Sequence, residues 1–183
     1  MYEVEVKVPA DHEDVRRRLA AAGADEGATV EQADTYFDAP HRDFATTDEA
    51  LRVRRVSREG AAAREARITY KGPKVDADSK TRREIETGVD DGDDACAIFE
   101  ALGFSPAATV RKTRTTYAYE EYTVALDDVE GLGQFVEVER EIDDEAVEAA
   151  RDGAFRVLRR LDLDPGAQVR TSYLGLLLDN PEE

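Results

Sequence analysis

The opening stretch Tyr2-Glu3-Val4-Glu5-Val6-Lys7-Val8 alternates strictly: Tyr2, Val4, Val6 and Val8 fall on one parity, and Glu3, Glu5 and Lys7 fall on the other. Successive side chains of an extended chain point to opposite faces, so this is a strand with one apolar face and one charged face. The alternation recurs downstream. Leu51 and Val53 oppose Arg52 and Arg54; Ile68 and Tyr70 oppose Arg67, Thr69 and Lys71. Ile85 opposes Arg82, Glu84 and Glu86, with Lys80 in register if that strand starts early. Val124 and Leu126 oppose Asp127, while Val136 and Val138 oppose Glu137 and Glu139. The stretch 108–119 is less regular: Lys112 and Arg114 share a face, but positions 111, 113 and 115 are not apolar. Strands are expected near 2–8, 32–38, 50–57, 65–71, 81–88, 108–119, 122–129 and 134–142.

Between the strands the period changes. A helix is expected over 12–22, capped by Asp11, with Val15, Leu19 and Ala22 on one face. Others are expected over 93–102 (Ile98, Phe99, Leu102, stopping at Gly103), 144–162 (Val147, Ala154, Val157, Leu158, Leu161) and 169–179 (Tyr173, Leu174, Leu177, Leu178). Gly60–Ala63 and Pro73–Ser79 read as loops. The pattern is α+β with a large, mainly antiparallel sheet, and a length of 183 residues without repeat or linker suits a single domain.

Eight strands can close into a barrel whose interior holds one small ligand. A charged sheet face usually fronts bulk water, but helices need the apolar face to cover, so closure would turn the charged face inward. That face is unusual for this chain, which carries 42 acidic against 25 basic residues and a formal net charge of −17. Arg52, Arg54, Lys71, Arg82, Lys112 and Arg114 nevertheless all fall on the charged parity of the middle strands. An acidic shell around a basic lumen suits a highly charged anion.

The excess of acid predicts repulsion of nucleic acid and of anionic membranes, so neither is expected as a partner. With only five lysines among the 25 cations, the balance also suggests a protein kept hydrated in concentrated salt. No apolar run approaches a membrane span, and the first residues lack a signal-peptide pattern, so a cytoplasmic protein is expected. One cysteine, Cys96, and two histidines, His12 and His41, exclude thiolate-rich zinc sites and histidine clusters. What remains is oxygen chemistry. Glu3 and Glu5, Glu137 and Glu139, and Asp127 suit a hard divalent cation, Mg²⁺ or Mn²⁺, of the kind that binds through a few carboxylates plus substrate phosphates. The basic residues would hold the phosphate oxygens. No Gly-rich phosphate loop is present, and Gly131–Gly133 reads as a turn. Cys96 reads as a small buried hydrophobe, His41 as a surface residue, and Tyr36 as a residue that could face the lumen.

These residues occur in an ordered series: Glu3-Val-Glu5-Val-Lys7, then QADTYFDAPHRDFATTDEALRVR at 32–54, ITYKGP at 68–73, KTRREIE at 80–86, RKTR at 111–114, LDDVEGLGQFVEVE at 126–139 and SYLGLL at 172–177. The series resembles the CYTH superfamily of triphosphate tunnel metalloenzymes, and within it the class IV adenylyl cyclase branch, related to thiamine triphosphatase. The resemblance covers almost the whole chain and implies one CYTH-type domain over 1–183, folded as a closed eight-stranded antiparallel tunnel with helices outside. It implies Glu3, Glu5, Glu137 and Glu139 as metal ligands with Asp127 contributing. It also implies Lys7, Arg52, Arg54, Lys71, Arg82, Lys112 and Arg114 as the substrate-binding set, with Arg83 an alternative to Arg82. Lys7 and Arg114 are the catalytic candidates. Glu84 and Glu86 could pair with the cations or with a metal, or be structural; Arg170 and Tyr173 could plug one end, with packing the expected role of Tyr173. The implied reaction converts ATP to cyclic AMP and pyrophosphate. The alternatives are hydrolysis of thiamine triphosphate, inorganic triphosphate or nucleoside triphosphates, and a non-catalytic polyphosphate- or nucleotide-binding module. A homodimer is left open.

Overall fold

A computed structural model describes residues 2–58, 65–143 and 146–179. The expected loop at 60–63 and residues 144–145 of the third expected helix lie outside the described residues. The strands are β1 Tyr2–Pro9, β2 Asp25–Asp38, β3 Ala50–Ser57, β4 Glu65–Lys74, β5 Arg82–Val89, β6 Ser105–Tyr119, β7 Tyr122–Val129 and β8 Gly133–Ile142. All neighbours are antiparallel, and the sheet closes in the order β1-β5-β4-β3-β2-β6-β7-β8. The helices are α1 His12–Ala21, α2 Phe44–Thr47, α3 Gly92–Ala101, α4 Val147–Arg160 and α5 Tyr173–Asp179, with a 3-10 turn at Pro165–Ala167.

Parity decides which way the barrel faces. Val6, Val8, Val124, Leu126, Val136 and Val138 point outward and are buried beneath Val15 and Leu19 of α1 and Ala154, Val157 and Leu158 of α4. Each such aliphatic contributes about 1.5–3 kcal/mol by leaving water, so the outward apolar parity is strongly specified. The charged parity is thereby turned into the lumen. α4 lies close enough for Tyr122 Oη to donate to the Ala150 carbonyl at 2.9 Å, and Gly153 supplies the room: a Cβ there would overlap the phenol. On the other side Ala95 and Cys96 of α3 pack against Phe37, Leu51 and Val53.

Four local expectations are corrected. β2 begins at Asp25 rather than 32, because it pairs with β6 from Asp25↔Ala118 onward, through an irregularity between Glu26 and Thr29. Gly27 lies within that irregularity, where a Cβ would meet Thr116 Oγ1 at 2.8 Å. α3 buries Gly92, Ala95 and Cys96 with Phe99 packed beside them, leaving Ile98 and Leu102 largely exposed. The small residues let the helix approach the sheet, so the larger aliphatics turn outward. Ala22 is the exposed C-cap of α1 rather than part of its buried face. Finally, α5 starts at Tyr173 and not at 169.

That last difference has a structural cause at the barrel seam. β1 and β5 pair only at Tyr2↔Arg83 and Glu3↔Arg82. Beyond them the seam is completed by Lys80 N donating to Glu5 O (3.1 Å) and Val169 N donating to Lys7 O (2.7 Å). Residue 169 is therefore held extended along β1, and the helix begins after Ser172, whose Oγ accepts from Gly175 N at 3.0 Å.

Candidate active site

The lumen opens into a cavity of about 1230 Å³. In a ring of eight strands, β8 and β1 stand opposite β3 and β2, so two chemically different walls face each other. β1 and β8 carry Glu3, Glu5, Glu137 and Glu139; β3 carries Arg52 and Arg54, with Lys112 and Arg114 on β6 and Lys71 on β4. All nine line the cavity. Arg82 and Arg83 do too: Arg82 is the Cα partner of the inward Glu3 and is buried, whereas Arg83 is exposed at the rim.

Each pair of cations is held by one buried aspartate. On β2, Asp34 accepts from Arg54 Nε and one terminal nitrogen at 2.7 Å each, and from Arg52 at 3.3 Å. On β7, Asp127 accepts from Arg114 Nε and Nη2 at 2.6 Å each and from Lys112 Nζ at 2.8 Å. These bidentate pairs fix the guanidinium planes. Burial works against both carboxylates being charged, but their cations win, holding Asp34 and Asp127 below the usual carboxylate range. Arg52 Nε is a buried donor with no acceptor among the described residues. Asp127 and Lys7 do not line the cavity. Lys7 Nζ donates to the Thr171 carbonyl at 2.7 Å and stands 4.0 Å over the Tyr173 ring. Tyr173 itself donates to Asp127 at 3.0 Å, so the start of α5 closes this end. Burial, aided by the nearby Lys80 charge, pushes the Lys7 ammonium down to about 8. Arg170 precedes α5, and its guanidinium ties the 76–79 backbone by donating to Asp76 O and Ser79 O.

A model of the CYTH domain matches residues 1–173. The chain belongs to the CYTH family. It is 39% identical over 178 residues, 96% of this chain and 98% of the other, to the Methanocaldococcus jannaschii protein named "Putative adenylate cyclase MJ0240". It is 28% identical over 117 residues to "Adenylate cyclase CyaB" of Aeromonas hydrophila, covering 64% of this chain and 56% of that one. Among solved structures, the PH1819 protein of Pyrococcus horikoshii OT3 superposes with a TM-score of 0.90 at 37% identity, covering 97% of this chain and 99% of that one.

In this CYTH tunnel the carboxylates do not converge: among the described residues no three acidic, His or Cys side chains are gathered as a metal-binding group. The reason is visible in their partners. Glu5 is drawn to Lys80 Nζ (2.6 Å), Glu3 to Lys71 (3.1 Å), and Glu137 to Arg114. Even so, Glu5 and Glu139 are direct cross-strand partners on adjacent strands, a like-charge opposition that destabilises unless a cation intervenes. Burial, together with the charges of Glu3, Glu137 and Glu5, pushes the Glu139 carboxyl up to about 7, against the pull of Arg114. Glu84, touching Lys71 and sharing a hydrogen bond with Glu3, is pushed up to about 8, first by burial and then by the Glu3 charge. Glu3 stays ionised: Lys71 and the hydrogen bond from Glu84 outweigh its burial.

A raised carboxyl pKa stabilises the fold fully below its unfolded value, near 4.5, and that contribution is lost as pH rises through the folded value. Stability of the metal-free protein should therefore fall between about pH 4.5 and 8. Glu84→Gln should flatten that decline by roughly 2 kcal/mol, read from denaturant unfolding at pH 5 and pH 8.5. A slope identical to wild type would remove Glu84 from the titrating set.

Three lumen residues carry no assigned role in the sequence pattern. Asp34 had one available signal, since it shares parity with Gln32 and Tyr36. Its role came from facing Arg54 across β2 and β3, a register the sequence does not encode. Lys80 sits in the loop before β5. Tyr36 lines the cavity. Of the others, Glu86 bonds Arg67 and Thr69 (2.9 and 2.8 Å) in an ion pair near the rim, His41 is exposed and away from the cavity, and Cys96 is buried as expected.

Proposed function

We propose that this CYTH protein is a divalent-metal-dependent enzyme acting on a triphosphate within its tunnel, and that its reaction is that of an adenylyl cyclase. The observation that carries the proposal is the opposition of a carboxylate wall and a cationic wall across one cavity, with the cations fixed by Asp34 and Asp127. The full-length similarity to a protein named for adenylate cyclase supports ATP as substrate.

Glu3, Glu5, Glu137 and Glu139 would hold Mg²⁺ or Mn²⁺, with Asp127 steering Arg114 beside them. The donor set is all oxygen, and the Glu5–Glu139 opposition is of the kind a cation relieves. A bound metal supplies Lewis acidity, lowering the pKa of the attacking hydroxyl and neutralising phosphate charge. The chain supplies the rest. Arg52, Arg54, Lys71, Lys112 and Arg114 grip the phosphates, with Arg52 Nε offering a donor that has no acceptor among the described residues. Arg82, anchored at 3.0 Å to both the carbonyl and the side chain of Asp48, adds a buried cation to the same lining. The Nη1 arm of Arg114, 3.6 Å from Glu139, stabilises negative charge on the reacting phosphate, and Lys7, mostly charged at neutral pH, adds a positive field from behind the Tyr173 ring without touching the substrate. The ribose 3′-hydroxyl gives up its proton to water as its oxygen bonds to the α-phosphorus, and the bond from that phosphorus to the α–β bridging oxygen breaks, releasing pyrophosphate.

A second reading uses the same grip. The cations are spread over β3, β4 and β6 and single out no one phosphate, so a triphosphate bound in the opposite sense would expose its γ-phosphorus to water, giving a triphosphatase. Product analysis by ³¹P NMR separates them. ATP, inorganic triphosphate and thiamine triphosphate would each be incubated in high-salt buffer with Mg²⁺ or Mn²⁺. Cyclic AMP with equimolar pyrophosphate is the expected result. Orthophosphate with a diphosphate product would replace the cyclase by the hydrolase. No turnover with tight binding would leave a binding module.

A further inference from the structure

Lys80 belongs to neither wall. It sits on the loop Val75–Thr81 between β4 and β5, yet its side chain is 11% exposed, lines the cavity and places Nζ 2.6 Å from Glu5 Oε1. The loop that carries it is anchored far more tightly than a connection requires. Val75 N donates to Thr81 O at 2.9 Å, and the buried Ser79 hydroxyl bonds Asp76 (2.5 Å) and Thr81 (2.6 Å). From outside, Arg151 of α4 reaches Asp76 and Asp78 at 3.2 Å each, Gln168 donates to Asp78 O at 3.0 Å, and Arg170 donates to Asp76 O and Ser79 O at 3.1 and 3.3 Å. Lys80 N donates to Glu5 O at 3.1 Å, so the backbone of residue 80 extends the sheet along β1 where β5 has stopped pairing. Lys80 is thus delivered into the lumen as a strand residue would be.

Its head group is a compact charge on a flexible stem, with three donors. Only one of them is used among the described residues, on the carboxylate assigned above to the metal. A divalent cation arriving at Glu5 meets an ammonium already there, and the two cannot share the carboxylate at close range. The displaced ammonium remains tethered in the lumen, within Coulomb range of Lys7 and Glu137, and the strongest new acceptor there is a substrate phosphate oxygen.

We propose that Lys80 is a further substrate-binding residue that holds Glu5 while the metal is absent, yields it to the incoming divalent cation, and then binds a phosphate oxygen of the triphosphate. This rests on the reading of the lumen as a triphosphate site. It makes metal and substrate binding mutually supportive, since the metal frees a cation for the substrate and the substrate removes a competitor of the metal.

The test is calorimetric titration of the full chain, with Mn²⁺ alone and with inorganic triphosphate in the absence of metal and with Mn²⁺ present. In Lys80→Met, Mn²⁺ alone should bind about threefold to tenfold tighter, and inorganic triphosphate in the presence of Mn²⁺ about tenfold weaker. Lys80→Arg should restore most of the triphosphate affinity. Either constant staying within about twofold of wild type in Lys80→Met, with only thermal stability altered, overturns the proposal and leaves Lys80 a structural partner of Glu5. Should Lys80→Met fail to fold, Glu5→Gln decides. Freed from its carboxylate, Lys80 should bind metal-free triphosphate more tightly than in wild type, and an unchanged or weaker constant overturns the proposal. Wild-type protein that binds no inorganic triphosphate under any of these conditions would remove the triphosphate reading itself, a result distinct from a loss of the Lys80 effect alone.

Discussion

Glu139→Gln is expected to fold at least as stably as wild type near pH 8 and to lose about a hundred- to a thousandfold of its metal-dependent turnover. The two halves follow from one environment. Burial and three neighbouring carboxylates push the Glu139 carboxyl up to about 7. Its stabilising contribution is complete below about 4.5, the ordinary glutamate value, and disappears as pH rises through 7. A neutral amide avoids that loss. The same substitution removes a charged oxygen ligand from the wall assigned to the metal, and an amide oxygen binds a hard dication less well. Thermal unfolding at pH 6 and pH 8, alongside steady-state turnover with Mn²⁺, reads both. Undiminished turnover in a folded Glu139→Gln would take the carboxylate wall out of the chemistry.

Arg114→Met should have the largest effect on stability, about 3–5 kcal/mol, or a fall in melting temperature of roughly 10 °C. Arg114 is buried and binds Asp127 through two nitrogens, touches Glu137, and reaches Glu139. Methionine fills much of the volume but leaves those carboxylates with too little positive charge, the situation in which breaking a buried pair is most costly. Adding Asp127→Asn should recover part of the loss, because an amide can still accept from Lys112 and Tyr173 without a buried charge. Chemical denaturation of the single and double variants measures the coupling. A single variant within about 0.5 kcal/mol of wild type would mean that the cluster does not hold the barrel interior together.

The two walls were legible in the sequence because a strand's period of two is a local property. Val4 and Val6 against Glu3 and Glu5, or Val136 and Val138 against Glu137 and Glu139, state which residues share a face without reference to any other strand. Residues whose role depends on register were not legible in that way. Asp34 clamps Arg54 from 20 positions away, and Lys80 meets Glu5 across 75. Asp127 could be placed on the inward face, but its grip on Lys112, Arg114 and Tyr173 follows from the order in which β6, β7 and α5 come together. Helix faces were misread where small residues set the contact. On α3, Ala95 and Cys96 allow close approach and the larger Ile98 and Leu102 are turned to water. Segment 169–172 has apolar and polar residues compatible with a helix, yet Val169 is recruited to the seam of the barrel by the carbonyl of Lys7.

Anomalous diffraction from crystals grown with Mn²⁺ and a non-hydrolysable ATP analogue tests the two-walled triphosphate site directly. A Mn²⁺ peak is expected against the β1 and β8 carboxylates, Glu5 and Glu139 among its ligands, with the triphosphate lying across the lumen onto Arg52, Arg54, Lys112 and Arg114. A metal bound outside the barrel, or a triphosphate seated anywhere but between the two walls, would contradict it.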